Sequence, residues 1–376
     1  MKFFKKLLAI MLALLCVCAI TACDDETEEL DTTKSGVALE WEVEETDDGN
    51  YIVVTGLFVS DAEKASLAKD NYETKDLKIG VDGKIEVPQY DENEKPLYNE
   101  DGTLKTEEIA LGEDYVAFKI ADAAFANQLI IGTVTIDASV AEIGATAFAG
   151  CTNLTKMELP YVGSTATGAV NAKKIFAYIF GSAEASGCTS VTCNYNSTGT
   201  GTYYLPTSLT EVVVNYAEGS VLPEYAFSGV TTLKKITVNG VNVVERNAFA
   251  GCIALNTVVL PDSVTEIGKS AFNGCSSLIN FDFPAELTTI FQEAFYGCVK
   301  IGYGKATVVE LAKVETIHDK AFYGCTSIST LNLPAAKTIG AAAFYNCASL
   351  KSVTHNATNV GNDAFSNCHD DLVIND

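Results

Sequence analysis

Residues 271–275 read AFNGC, and the word returns as AFAGC at 147–151 and 248–252, as AFYGC at 294–298 and 321–325, and more loosely as AFYNC at 343–347 and AFSNC at 364–368. Taken alone, the word reads as a reactive thiol behind a flexible glycine. A catalyst needs one nucleophile, so seven copies call for a structural explanation. Phe227, Phe249, Phe272, Phe295, Phe322, Phe344 and Phe365 follow at intervals of 22, 23, 23, 27, 22 and 21 residues, and Phe125 and Phe148 are 23 apart. Self-similarity at this period is the mark of a solenoid with one short supersecondary unit per turn.

With Phe249 as origin, the apolar positions of one unit are Cys252, Leu255, Val258, Leu260, Val264 and Ile267, and Pro261 and Gly268 punctuate it. The alternation Leu255-x-x-Val258-x-Leu260 is a short strand, stopped where Pro261 removes a donor. VTEIG at 264–268 is a second extended piece, and KSAFNGC at 269–275 is a tight helical turn. Stacking such units at about 4.8 Å places equivalent side chains in columns, Phe on Phe and Cys on Cys. The word is then an interior corner: Phe gives bulk, Ala and Gly let the backbone turn, and Cys is a small buried hydrophobe. The fold expected is mostly β, a solenoid of about ten rungs of 21–27 residues, with short parallel strands and tight helical turns.

The pattern [I/V]GxxAFxGCxxLxx[V/L]xLP resembles the BspA-like leucine-rich repeat family of bacterial surface proteins, over roughly residues 115–372. The likeness extends to an irregular module in this chain, an insert at about 161–204 running from LPYVGSTATGAVNAKKIFAYIFGS towards YLPTSLTEVVV. The pattern is broken at Gln128 and Val230, which stand at the cysteine position; Gln128 suits a capping rung and Val230 is an apolar replacement. The resemblance implies surface display and binding of a protein or host surface, without catalysis, and names no ligand.

MKFFKK is a basic start, and the apolar run LLAIMLALLCVCAI that follows is too short for a permanent span, so residues 1–22 read as a cleaved export signal. ITAC resembles a bacterial lipobox, with Cys23 as the lipidated first residue; the alternative is an ordinary signal with an incidental cysteine. Residues 23–35 are an acidic tether. Residues 36–114 alternate in strand-like runs divided by DDG and VDG turns, which reads as an acidic β-rich cap over the open first rung, with Trp41 as a packing residue; residues 115–376 form the solenoid. A net charge of −24 argues against nucleic acid and against docking on anionic lipid, which leaves the lipid on Cys23 as the membrane contact.

Seven cysteines at one rung position cannot all pair internally, and in-register neighbours have parallel Cβ vectors at the rung spacing, so a reduced buried column is expected. A line of thiols is not a closed metal site, and no metal or cofactor is expected. Cys188 and Cys193 lie outside the frame, and a small-loop disulfide between them stays open. His318, His355 and His369 stand in no paired motif and read as surface turn residues. Residues 91–102 place Lys95 where a calcium loop wants an oxygen ligand.

Tyrosines gather in the insert among Ser, Thr, Gly and Asn, the vocabulary of adaptable binding surfaces. Tyr195, Tyr203 and Tyr204 are the candidate binding residues; the competing reading is a tyrosine-rich loop packed on its own solenoid. The function expected is a lipid-anchored bacterial surface protein, exported to the cell envelope, adhesin-like, binding a protein or, less favoured, a glycan. The alternative is a passive envelope spacer, which would show polar side chains where a binder shows exposed aromatics.

Overall fold

Two parallel strand ladders run along the chain in the computed structural model, which describes residues 33–68, 72–113, 115–167, 171–303 and 308–375. The export signal, Cys23 and residues 24–32 of the acidic tether lie outside the described residues. One ladder is built from the LxxVxLP segments, among them Lys156–Leu159, Thr257–Val259 and Asn280–Phe281, with Val308–Glu310, Thr330–Leu333, Ser352–His355 and Val373–Asn375 repeating the pattern. The other is built from the VTEIG segments: Glu266–Ile267, Thr289–Ile290, Thr316–Ile317, Thr338–Ile339 and Asn359–Val360. Alternate residues point inward, so Val134, Met157, Val212, Ile236, Val258 and Phe281 are successive register partners and all are buried. The molecule is a mostly β solenoid, as expected, of about eleven turns where the period suggests about ten.

The AFxGC words form the third side. Phe249 N–H donates to the Ala271 carbonyl at 2.7 Å and Gly251 N–H to Asn273 at 2.8 Å; one coil on, Phe272 and Gly274 do the same to Ala294 and Tyr296. Backbone polarity is thereby satisfied between coils even where the chain is neither helix nor strand. Inside, the rings form a column: centroids lie 5.5 Å apart for Phe227–Phe249, 4.8 Å for Phe249–Phe272, 5.1 Å for Phe272–Phe295 and 5.0 Å for Phe295–Phe322.

Each such turn has a left-handed residue on either side of the Phe; around Phe272 they are Ser270 at φ 55° and Gly274 at φ 77°. This explains the looser words. Where glycine is missing the replacement is asparagine, at Asn127, Asn346 and Asn367, with φ between 55° and 61°. Asn is the side chain that best tolerates this region, whereas a β-branched residue there is an outlier. A Cβ at Gly274 would meet only the Gly251 backbone, at 3.9 Å, so conformation and not crowding sets the cost of substitution. Gly274→Asn is expected to cost less than about 1 kcal/mol and Gly274→Val about 2 kcal/mol or more in urea unfolding. Equal losses would contradict this account.

Several strands of the first ladder stop at proline, as Lys156–Leu159 does at Pro160, Thr257–Val259 before Pro261 and Thr330–Leu333 at Pro334. Asn215 and Asn239 stand at that corner in two neighbouring coils. There the strands Glu211–Leu222 and Lys235–Val244 run round the bend and join both ladders, with a register shift after Asn215. At the other end, residues 36–114 add strands to both sides: Gly49–Val59 pairs in parallel with Tyr115–Ile120, and Lys75–Ile79 with Ile131–Ile136. Val37–Thr46 lies antiparallel on Gly49–Val59, and Trp41, at the register shift of that pair, packs against the core.

Candidate binding surface on the insert

The insert is not a detour outside the core. Tyr161, Val162, Ile175, Phe176, Ile179 and Phe180 are all buried. The 3₁₀ turn Phe176–Phe180 takes the place of an Ala-Phe word: Phe148 N–H donates to the Ile179 carbonyl at 2.9 Å, Phe176 N–H donates to Ala226 at 2.8 Å, and the Phe176 ring lies 5.2 Å from Phe227. The segment IFAYIF is thus a rung of the column. Tyr161 donates its hydroxyl to the Val140 carbonyl, and the Tyr216 hydroxyl accepts from Val162 N–H, so these tyrosines are structural.

What leaves the solenoid is the antiparallel pair Cys188–Asn194 and Thr200–Pro206. Its tip is an Asx turn in which Asn196 Oδ1 accepts from the backbone N–H of Thr198 and Gly199. One face of the hairpin carries Val191, Cys193, Tyr195 and Tyr203. Val191 and Cys193 are 2% and 0% exposed, and Tyr195 and Tyr203 pack, half-buried, against the core. The approach is close: a Cβ on Gly229 would stand 1.9 Å from the Thr192 carbonyl oxygen. Tyr204 lies on the opposite face, across from Ser190 and beside Thr202 and Thr192. The structure therefore divides the three candidates, two on the packed face and one on the outward face. Burial pushes the Tyr203 phenol above its ordinary value.

The column cysteines have a uniform role. The Sγ of Cys252, Cys275, Cys298 and Cys325 each lies 3.1 Å from a Phe carbonyl of the preceding coil, from Phe227 to Phe295, and Cys151, Cys347 and Cys368 make the same contact. Burial raises the Cys275 thiol to about 12, so no nucleophilic thiolate forms there near neutral pH. All nine described cysteines are free. A bridge between Cys188 and Cys193 is excluded by geometry. They lie five residues apart on one strand, hence on opposite faces and about 16 Å from each other.

One histidine departs from the sequence reading. His355 ends the strand Ser352–His355 in register with Leu333, is 4% exposed, accepts from Ala357 N–H at Nδ1 and stacks over Phe365. It fills a leucine position of the core. His318 is an exposed residue stacked on Phe291, with centroids 5.0 Å apart.

A second group of tyrosines escaped the sequence reading although the words AFYGC and AFYNC contain it. Tyr296, Tyr323 and Tyr345 stack in a row at 4.8 and 5.0 Å, with planes within 6° and 11°, and Asn367 Nδ2 donates to the Tyr345 hydroxyl. The signal was the letter after Phe, which is Ala149, Ala250 or Asn273 in other words and Tyr in three consecutive ones.

Comparison with known proteins gives a family and several similar structures. The model of the BspA-type leucine-rich repeat region matches in 6 copies, over residues 118–240, 196–307 and 303–372. A leucine-rich repeat protein of T. pallidum is 27% identical, covering 45% of this chain and 80% of its own, with a TM-score of 0.40. One from Bacteroides ovatus is 17% identical over 94% of this chain and 82% of its own, with a TM-score of 0.38. A leucine-rich cell surface protein from Faecalibacterium prausnitzii is 17% identical over 90% and 97%, with a TM-score of 0.31. No curated protein matches. Since the repeat grammar and the family model coincide over well more than half of the sequence, the chain belongs to the BspA-type leucine-rich repeat family.

Proposed function

We propose that this chain is an exported bacterial surface protein, held by a lipid on Cys23 and an acidic tether over residues 23–35, that binds a protein partner or host surface without catalysis. Membership of a leucine-rich repeat family supports a protein-binding role in general. Among the described residues no helix is long and apolar enough to cross a membrane. In this reading residues 36–114 serve as the acidic cap and residues 115–376 as the solenoid that presents the binding surface.

The observation that carries the proposal is the hairpin over 188–206, an antiparallel pair set on an otherwise parallel scaffold. Loops borne by a rigid scaffold are where recognition tends to be placed. Tyr204 on the outward face makes the contact, and Tyr195 and Tyr203 on the packed face hold the hairpin in place. Replacing residues 186–202 wholesale would uncover the core, because Val191 and Cys193 are buried. A point substitution is cleaner. Soluble protein of residues 36–376 is expected to be captured by host-cell surfaces, and Tyr204→Ala to capture at least about tenfold less at an unchanged thermal midpoint. Undiminished capture by the variant would remove the hairpin from the binding surface. Incorporation of a labelled fatty acid into the full chain, lost in Cys23→Ala, checks the anchor.

A further inference from the structure

We propose that the tyrosine row Tyr296–Tyr323–Tyr345 is a second recognition surface, one that takes a proline-rich, basic peptide segment in the polyproline II conformation. The fold does not need these rings. The equivalent position is Ala149, Ser228, Ala250, Asn273 and Ser366 in other words, and the turns at Ser228, Ala250 and Asn273 make the same backbone hydrogen bonds to the next coil. Three consecutive tyrosines thus add half-buried aromatic surface to the outer wall of a scaffold that is complete without them.

The geometry selects the ligand. Because the rings stack on one another at 4.8 and 5.0 Å, their faces are largely covered and the row offers ring edges and hydroxyls. A sugar, which lies across an aromatic face, finds little of what it needs. A polyproline II segment has no internal hydrogen bonds, so its carbonyls are free to accept from phenol hydroxyls. Its turn of three residues rises about 9.3 Å, close to two steps of the row, so residues three apart on one side of the ligand meet Tyr296 and Tyr345 in the same way. Beside the row, a Cβ on the partly exposed Gly297 would meet nothing within 4 Å, which leaves backbone open to a close approach. Stacking holds the rings in place before binding, so little side-chain entropy is lost on docking.

Charge completes the argument. Glu293 and Asp319 lie on the tyrosine-bearing turns and Asp363 on the next one, against Lys300 and Lys320, and the whole chain carries −24, so basic residues between the prolines are favoured over acidic ones. The proposal is independent of the hairpin, which packs against other turns. The Tyr204→Ala variant is expected to keep it in full.

The test uses the soluble protein and three probes: a peptide of repeated Pro-Pro-Arg, a peptide of repeated Gly-Ser-Arg with equal length and charge, and a linear oligosaccharide. The proline peptide is expected to bind, and to bind at least about tenfold more weakly to the protein carrying Tyr296→Ala, Tyr323→Ala and Tyr345→Ala together. Its thermal midpoint should stay unchanged. Should the triple variant fold poorly, Tyr323→Asn alone, which copies Asn273, interrupts the row and should weaken binding as well. Equal affinity of either variant, equal binding of the Gly-Ser-Arg peptide, or tyrosine-dependent binding of the oligosaccharide alone would overturn the proposal.

Discussion

Truncating Phe295 to Ala is expected to cost about 3–5 kcal/mol, the usual range for emptying a large buried aromatic site. The ring is fully buried and touches four others, at centroid distances of 5.1 Å to Phe272, 5.0 Å to Phe322, 5.3 Å to Phe281 and 5.4 Å to Phe283. Its surroundings cannot readily close over the gap, because the Phe272 and Phe322 backbones above and below it are held by bonds to the next coil. The loss is also local. In a solenoid each unit leans mainly on its neighbours, so weakening one coil separates the stability of the two sides. Trp41, the only tryptophan, sits in the N-terminal strand Val37–Thr46 and reports that side alone, while circular dichroism reports the whole. The two probes should coincide in the parent protein during urea unfolding and part in Phe295→Ala. A loss under about 1 kcal/mol would mean that the column does not carry the packing assigned to it.

The same column shows what a sequence reveals and what it hides. The coils were legible because Phe, Cys and the strand positions repeat with one chemistry, so that each copy confirms the others. The reading failed where a position kept its place but changed its chemistry. His355 stands where Leu333 stands one coil earlier, and a polar letter in a leucine position looks like a turn until the register is known. IFAYIF reads as part of the irregular module because its spacing departs from the period, although its hydrogen bonds are those of a rung. The strands that pass the corner at Asn215 and Asn239 were hidden for a related reason. Absence of proline permits continuation without announcing it, and only the parallel partner shows that it occurs. The division of the insert tyrosines also depends on pairing: Tyr203 and Tyr204 are neighbours in sequence, and a strand sends them to opposite faces.

Alkaline pH should unfold this protein far more steeply than its surface charge accounts for, and the cysteine column is the cause. In the unfolded chain a thiol ionises near pH 8.5. In the fold, burial holds Cys151 and Cys275 up at about 12, and drives Cys252, Cys298, Cys325 and Cys347 upward in the same way. Between those limits the native state keeps protons that the unfolded state has released, so stability is fully present below pH 8.5 and falls as pH rises. Each such thiol takes about 1.4 kcal/mol per pH unit once its unfolded form is ionised, and six acting together would take roughly 8 kcal/mol, comparable to the whole stability of a domain. The buried phenols of Tyr161 and Tyr216, also pushed up, add the same sign only above about pH 10. The informative interval is therefore pH 8.5 to 10, with a reductant present to keep the thiols free. Urea unfolding across it should give a stability slope that becomes shallower, by an amount approaching about 2.7 kcal/mol per pH unit towards pH 10, when Cys275→Ala and Cys298→Ala are combined. The slope is read and not the level, since removing two buried thiols also lowers stability at neutral pH. An unaltered slope in that variant would mean that these thiols ionise in the fold as they do in the unfolded chain, which the Sγ contacts to the Phe249 and Phe272 carbonyls oppose.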